Sequence, residues 1–191
     1  MSLFIIISSI LALISPLIYA KAILRGNAKP HRTTRLVILI TTSLTTASLL
    51  AQGNNVAIYL AGVSTLQAIV IFILSLKHGM GGWAKSDIIC LILALIGITL
   101  WQITKNPVIA LYFAIGADFT GMLPAIIKTY HFPKTEIWLF FALDVFAAIF
   151  SLMALTTWTT KEYSYPIYIM LINFLMVLLI IRPHHDHKHP Q

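Results

Sequence analysis

The chain has 191 residues, of which 59% are hydrophobic and only 10% are charged. A soluble domain carries about 25% charged residues, so this composition excludes an ordinary soluble globular protein. The formal net charge of +7 could indicate a nucleic-acid-binding protein. The distribution of the basic residues favours contact with anionic lipid headgroups instead, and no nucleic-acid partner is predicted.

Seven apolar segments predict transmembrane helices, because a hydrocarbon core about 30 Å thick requires roughly 20 apolar residues per helix. The predicted spans are residues 2–20, 36–52, 56–76, 87–104, 107–127, 136–158 and 165–181. The first span could be a signal peptide, but its basic residues follow it instead of preceding it, which favours a retained span. A single cysteine, Cys90, excludes a disulfide framework. The sequence therefore predicts an all-α integral membrane protein.

The basic residues indicate the orientation of these spans. All but two of the 13 Lys and Arg residues lie on one side of the predicted topology, the exceptions being Lys105 and Lys161. Because basic loops remain in the cytoplasm, the C-terminus is predicted to be cytoplasmic and the N-terminus external. We expect a bacterial or archaeal plasma membrane.

Two carboxylic acids interrupt the apolar pattern. Asp118 lies near the middle of the fifth span, and Asp144 lies about eight residues into the sixth. An ionised carboxylate at this depth costs several kcal/mol, so each acid is expected to be protonated, paired or exposed to water. No Lys or Arg is predicted at the same depth. Each acid is therefore either a protonated, hydrogen-bonded structural group or an ionisable group that serves a proton, a metal ion or a cationic solute.

Small residues follow the same helix faces as the two acids. They are Ala110, Ala114, Ala117, Gly121 and Ala125 beside Asp118, and Ala147, Ala148, Ser151 and Ala154 beside Asp144. A stripe of small residues is typical of a helix contact or a cavity wall, so both aspartates are predicted to face the bundle interior.

Similar features recur on the two sides of the fourth span. Pro16 and Pro124 lie in the first and fifth spans, and a basic loop follows each of them. Gln67 and Asn173 place one carboxamide in the third span and one in the seventh. The pattern predicts two parallel three-helix bundles joined by a linker helix, a 3+1+3 arrangement. The predicted divisions are residues 1–76, 77–106 and 107–182, followed by a His-rich cytoplasmic tail at 183–191.

Short motifs accompany this arrangement. They are Leu123-Pro124-Ala125 and Lys134-Thr135-Glu136 in the second repeat, and Ser15-Pro16-Leu17 in the first. With the 3+1+3 pattern, they resemble the SWEET and PQ-loop superfamily of seven-span transporters. Leu17 and Ala125 stand where the PQ-loop branch has glutamine, and Arg35 stands where the family signature has an acid.

The resemblance implies a secondary transporter that moves a small polar solute, such as a sugar, an amino acid or a vitamin-like compound. Pro16 and Pro124 would be hinges for alternating access, with a static kink as the alternative. Gln67 and Asn173 would contact the solute near the midplane, with an interhelical hydrogen bond as the alternative. Asp144 would be a proton site.

The predicted binding set adds Asp118 to the two carboxamides, both as a solute contact and as a second candidate for proton coupling. Trp101 and Gln102 are candidates for an outer gate. No enzyme activity, cofactor or metal site is predicted, and the His-rich tail would bind metal only adventitiously. The competing interpretation is a non-transporting sensor, assembly factor or complex subunit with protonated structural aspartates. Whether the chain forms a homo-oligomer stays open.

Overall fold

The computed structural model describes residues 3–30, 32–79 and 85–182, and every regular element in these ranges is helical. The α-helices are α1 (Leu3–Leu24), α2 (Arg32–Ala51), α3 (Ala57–His78), α4 (Lys85–Thr104), α5 (Pro107–His131), α6 (Trp138–Met153) and α7 (Thr160–Ile181). One 3₁₀ turn, Pro133–Thr135, precedes α6. The predicted all-α class is confirmed, while the predicted His-rich tail lies outside the described residues.

Five segments among the described residues are long and apolar enough to cross a membrane. They are Leu3–Leu24, Thr34–Ala51, Ala57–His78, Pro107–His131 and Thr160–Ile181. Helix α6 has 16 residues, which span about 24 Å at 1.5 Å per residue. Helix α4 contributes a shorter apolar segment, Leu95–Thr104. These helices are those of an integral membrane protein.

Several helix ends differ from the predicted boundaries because packing continues beyond the apolar run. Helix α1 extends a turn past residue 20, since Ala22 and Ile23 are buried in the core. Helix α2 begins at Arg32 instead of residue 36. Helix α6 begins late because Glu136, after the 3₁₀ turn, has an extended backbone.

The helices contact one another in two similar groups. Helix α3 packs against α1 and α2, and α7 packs against α5 and α6. Within the described residues, the backbones of α1 and α2 do not approach closely, and neither do those of α5 and α6. Helices α1 and α2 meet through the side chains of Tyr19 and Arg35. Between the groups, α1 packs against α6, α2 against α5, and α3 against α7. If α1, α2 and α3 are exchanged for α5, α6 and α7 in that order, each of these helix pairs is replaced by another pair that is also in contact. Helix α4 lies against α5 and α2.

Two apolar clusters occupy opposite ends of this bundle. One contains the buried residues Tyr19, Ala22, Ile23, Ala28, Ile71, Met122, Phe140, Phe141, Ile172 and Met176. We call its end the Arg35 end, because Arg35 in the first turn of α2 lies beside Tyr19. The other contains Ala12, Leu49, Ala57, Leu60, Ala61, Leu111, Ala147, Ala148 and Tyr165, and we call its end the Tyr165 end.

The two predicted stripes of small residues are buried except at Ala125, which is partly exposed. Ala110, Ala114 and Ala117 pack against α2 in a third cluster, and each has an exposed fraction of 0%. Ala147 and Ala148 belong to the cluster at the Tyr165 end. The small side chains allow α5 to approach α2 and α6 to approach α1 closely.

Candidate functional site

A polar cavity of about 70 Å³ lies inside the bundle, next to the cluster at the Arg35 end. Helices α2, α3, α5, α6 and α7 all contribute to its wall. Its lining is Arg35, Ile38, Thr42, Ser64, Gln67, Ala68, Ile71, Asp118, Met122, Phe140, Phe141, Asp144, Ile169, Ile172 and Asn173. Because one water molecule needs about 10–15 Å³, the cavity has room for several.

The structure brings four of the predicted site residues together in this cavity. Gln67, Asp118, Asp144 and Asn173 come from four different helices, and all four line the wall. Polar residues in apolar helices therefore converge on one location. Their individual roles in solute binding and proton transfer stay predictions.

Asp144 connects the two helix groups. Its Oδ2 accepts a hydrogen bond from Gln67 Nε2 at 3.0 Å, so α6 is joined to α3. The Ser15 hydroxyl on α1 also faces this carboxyl group. Elsewhere in the cavity lining, Asn173 Nδ2 donates to the carbonyl of Ile169 in its own helix at 2.8 Å. The two carboxamides thus differ, since among the described residues Gln67 is joined to an acid and Asn173 is not.

Asp118 has a hydroxyl group beside each carboxyl oxygen. Thr41 Oγ1 lies 2.8 Å from Oδ1, and Tyr168 Oη donates to Oδ2 at 2.6 Å. Thr41 Oγ1 also lies 3.0 Å from the carbonyl oxygen of Ile38. A hydroxyl has one proton to donate. Thr41 can therefore donate to an ionised Asp118, or donate to Ile38 while accepting from a protonated Asp118.

We expect Thr41→Val to destabilise the protein by about 0.6–2 kcal/mol, the usual range for interhelical hydrogen bonds in membranes. The substitution keeps the side-chain volume while removing a partner of Asp118. Ser43→Ala is the matched control, because Ser43 Oγ is exposed and donates only within its own helix, to Leu39. Unfolding in mixed detergent micelles measures both variants. An equal loss in the two variants would contradict a stabilising role for the Thr41–Asp118 contact.

Arg35 corrects the expectation that no basic side chain lies near the two acids. It lines the cavity and acts electrostatically on both Asp118 and Asp144. It makes no ion pair with either acid, since the ion pair among the described residues joins Lys128 to Glu136. The physical reason is the early start of α2 at Arg32, which places Arg35 on a helix instead of in a loop.

A hydrogen-bonded network at the Arg35 end was not predicted from the sequence. Arg35 Nη2 donates to Tyr19 Oη at 3.1 Å, and Tyr19 Oη donates to Glu136 Oε2 at 2.8 Å. Lys128 Nζ pairs with Glu136 Oε1 at 2.8 Å and donates to the Lys29 carbonyl at 3.1 Å. The Glu136 side chain is only 3% exposed. We call these four side chains, Arg35, Tyr19, Glu136 and Lys128, the Glu136 network.

The remaining predicted residues lie away from the cavity lining. Trp101 packs against the cluster between α2 and α5, and Gln102 is exposed. Neither lines the cavity, so the structure gives no geometric support for a gate there. Pro16 and Pro124 lie inside α1 and α5, which continue on both sides of them. Their hinge role stays a prediction.

Within residues 3–30, 32–79 and 85–182, no group of three or more His, Cys, Asp or Glu side chains could hold a metal ion. Comparison of the chain with protein-family models, with curated proteins and with solved structures finds no match. The chemistry of the cavity and of the Glu136 network is therefore the basis for assigning a function.

Proposed function

We propose that the protein is a secondary transporter that moves a small polar solute across the membrane by alternating access. The observation that carries this proposal is the cavity, which gathers two carboxyl groups, two carboxamides and a guanidinium inside an apolar helix bundle. Polar groups at membrane depth are costly, and they typically mark a solute or proton pathway. A non-transporting protein predicts a packed interior around the aspartates, so the cavity favours a carrier.

The proposed carrier has seven spans in a 3+1+3 arrangement. The exchange symmetry of the helix contacts supports it, because α1–α6 and α2–α5 become equivalent pairs. Counted from the matched prolines Pro30 and Pro133, Thr41 and Asp144 occupy the same position. Helix α4, which packs outside α2 and α5, would be the linker. A span as short as α6 is tolerated by local bilayer thinning.

Contacts between the two helix groups lie at both ends of the cavity, and alternating access would break those at one end while keeping those at the other. At the Tyr165 end, small and apolar side chains pack together, and Ser8 Oγ donates across the helix groups to the Ala147 carbonyl at 2.7 Å. At the Arg35 end, the Glu136 network joins α1 and α2 to α5 and the segment before α6. Alternating access would open one end at a time. The basic loops favour a cytoplasmic Arg35 end.

Filling the cavity should stop transport. We expect Ala68→Leu, which places a larger side chain in the cavity wall, to lower solute counterflow in proteoliposomes by tenfold or more, about 1.4 kcal/mol or more of lost solute binding. Overpacking costs about 1–3 kcal/mol of stability, so the variant is expected to fold. Ile69→Leu is the matched control, because Ile69 is the next residue along α3 and is 38% exposed. Normal counterflow by Ala68→Leu would contradict a solute path through this cavity.

The proposal itself is tested with purified full-length protein and a panel of sugars, amino acids and vitamins. A ligand that binds the folded state raises the unfolding temperature. Each compound that does so is then assayed for counterflow in proteoliposomes. A solute that both stabilises the protein and exchanges across the membrane supports the carrier. If no compound does either, the non-transporting interpretation is favoured.

A further inference from the structure

We infer that Arg35 binds an anionic group of the solute, and that the solute is a small zwitterion whose ammonium group lies between Asp118 and Asp144. The inference rests on the proposed carrier function and names the class of its solute. Charge placement in the cavity carries it. One guanidinium and two carboxyl groups line the same small space without pairing with one another.

Arg35 has hydrogen-bonding capacity that the described residues do not use. A guanidinium carries five N–H donors, and Tyr19 Oη is the hydrogen-bond acceptor that the described chain provides for them. Tyr19 also lies under the guanidinium, whose carbon is 5.2 Å from the ring centroid. The hydrogen bond and the ring contact orient the planar group, and its other N–H groups have no acceptor among the described residues. A fixed guanidinium is well suited to binding a carboxylate through two hydrogen bonds.

The carboxyl groups of Asp118 and Asp144 provide the negative charge that complements Arg35. Asp118 and Asp144 line the cavity with Arg35 and are close enough to interact with it electrostatically, but neither lies within 4.0 Å of its nitrogens. The cavity therefore separates a guanidinium from two carboxyl groups. A ligand that carries one positive and one negative charge would fill this space and pair with both sides. Since Gln67 already donates to Asp144, an ammonium group would add donors to carboxyl oxygens that retain lone pairs.

Charge balance distinguishes a zwitterion from other solute classes. With one acid protonated, Arg35 and the remaining carboxylate cancel, and a zwitterion leaves the cavity neutral. A simple amine would leave the guanidinium without a counter-ion, and a simple acid would leave the carboxylate without one. A sugar would keep the cavity neutral but would offer no charged group to the guanidinium or to the carboxylate. Uncompensated or poorly paired charge inside a membrane protein is costly, so each of these solutes would bind less favourably.

The apolar part of the cavity wall limits the size and polarity of the solute's third substituent. Ile38, Ile71, Phe140, Phe141 and Ile172 are apolar, and the free space is small. The third substituent is therefore expected to be small and apolar. Alanine is the simplest test compound with this chemistry. Alaninamide lacks its carboxylate, and propionate lacks its ammonium group.

The experiment measures the affinity of full-length protein for these three compounds by thermal unfolding, together with counterflow in proteoliposomes. We expect alanine to bind about 10- to 100-fold more tightly than alaninamide or propionate, the range for losing a charged hydrogen-bond partner. In Arg35→Gln, alanine should lose this advantage over alaninamide. Arg32→Gln should keep it, because Arg32 donates to the Ser75 carbonyl outside the cavity lining.

Other outcomes separate this inference from the carrier function. Equal binding of alanine and alaninamide by the unmodified protein, or binding of a sugar alone, overturns the inference and leaves the carrier intact. Failure of the whole panel, alanine included, overturns both. If Arg35→Gln does not fold, Arg35→Lys keeps the positive charge and loses the planar fork. A preserved but smaller preference for alanine in that variant supports the inference, and an unchanged preference overturns the assignment to Arg35.

Discussion

Replacing Glu136 by alanine will destabilise the protein by about 3–5 kcal/mol, the range for removing one partner of a buried ion pair. The substitution removes the acceptor of both Lys128 Nζ and Tyr19 Oη. Tyr19 has an exposed fraction of 0%, so water cannot replace the lost partner without a local opening. Reversible unfolding in mixed micelles measures the change.

A matched control comes from Glu162, whose Oε2 accepts a hydrogen bond from Thr157 at 2.5 Å near the protein surface. Glu162→Ala should cost less than about 1 kcal/mol. Glu136→Gln should fall between the two, because the amide keeps an acceptor for Tyr19 but loses the charge opposite Lys128. If Glu136→Ala is as stable as Glu162→Ala, the Glu136 network does not hold the helices together at the Arg35 end.

Asp144→Asn will abolish accumulation of the solute driven by a proton gradient, while counterflow of the solute continues at a reduced rate because Asp118 remains to bind the ammonium group. Asparagine keeps the size of the side chain and an oxygen for Gln67, but it cannot take up and release a proton. A gradient of one pH unit supplies about 1.4 kcal/mol per proton, enough for about tenfold accumulation. The unmodified protein should approach this ratio, and the variant should stay near one.

Proteoliposomes with an acidic exterior provide the measurement, and a proton ionophore should collapse accumulation by the unmodified protein. Glu162→Gln, which changes an acid outside the cavity lining, should accumulate solute normally. Unchanged accumulation by Asp144→Asn would remove the proton-coupling role from this residue. Asp118→Asn would then test the second acid.

The sequence predicted the membrane helices well where the apolar run has sharp limits. Helix α5 starts at Pro107 as predicted, since proline is favoured in the first helical turn. The cavity residues Asp118 and Asp144 were also predictable, because a carboxyl group inside an apolar helix stands out from its neighbours. Gln67 and Asn173 were recognised for the same reason.

Arg35 and Glu136 escaped prediction because charged residues are expected at span boundaries. One additional turn of α2 decides whether Arg35 lies in a loop or at the cavity, and that turn depends on tertiary packing. Thr41 and Tyr168 were missed for another reason. Hydroxyl groups are common in membrane helices, and their partner Asp118 is 77 and 50 residues away in the chain. Sequence spacing does not reveal such pairs.

The chemical difference between the two ends of the bundle makes water itself an effector of the protein. Separating the contacts at the Tyr165 end would expose apolar surface, at about 25 cal/mol per Å². Separating the Arg35 end would expose apolar surface as well, but it would also hydrate a guanidinium, an ammonium and a carboxylate, which offsets part of the lost pairing. Hydration therefore opposes opening less at the Arg35 end than at the Tyr165 end, and excluded osmolytes, by lowering water activity, favour the packed state of both ends.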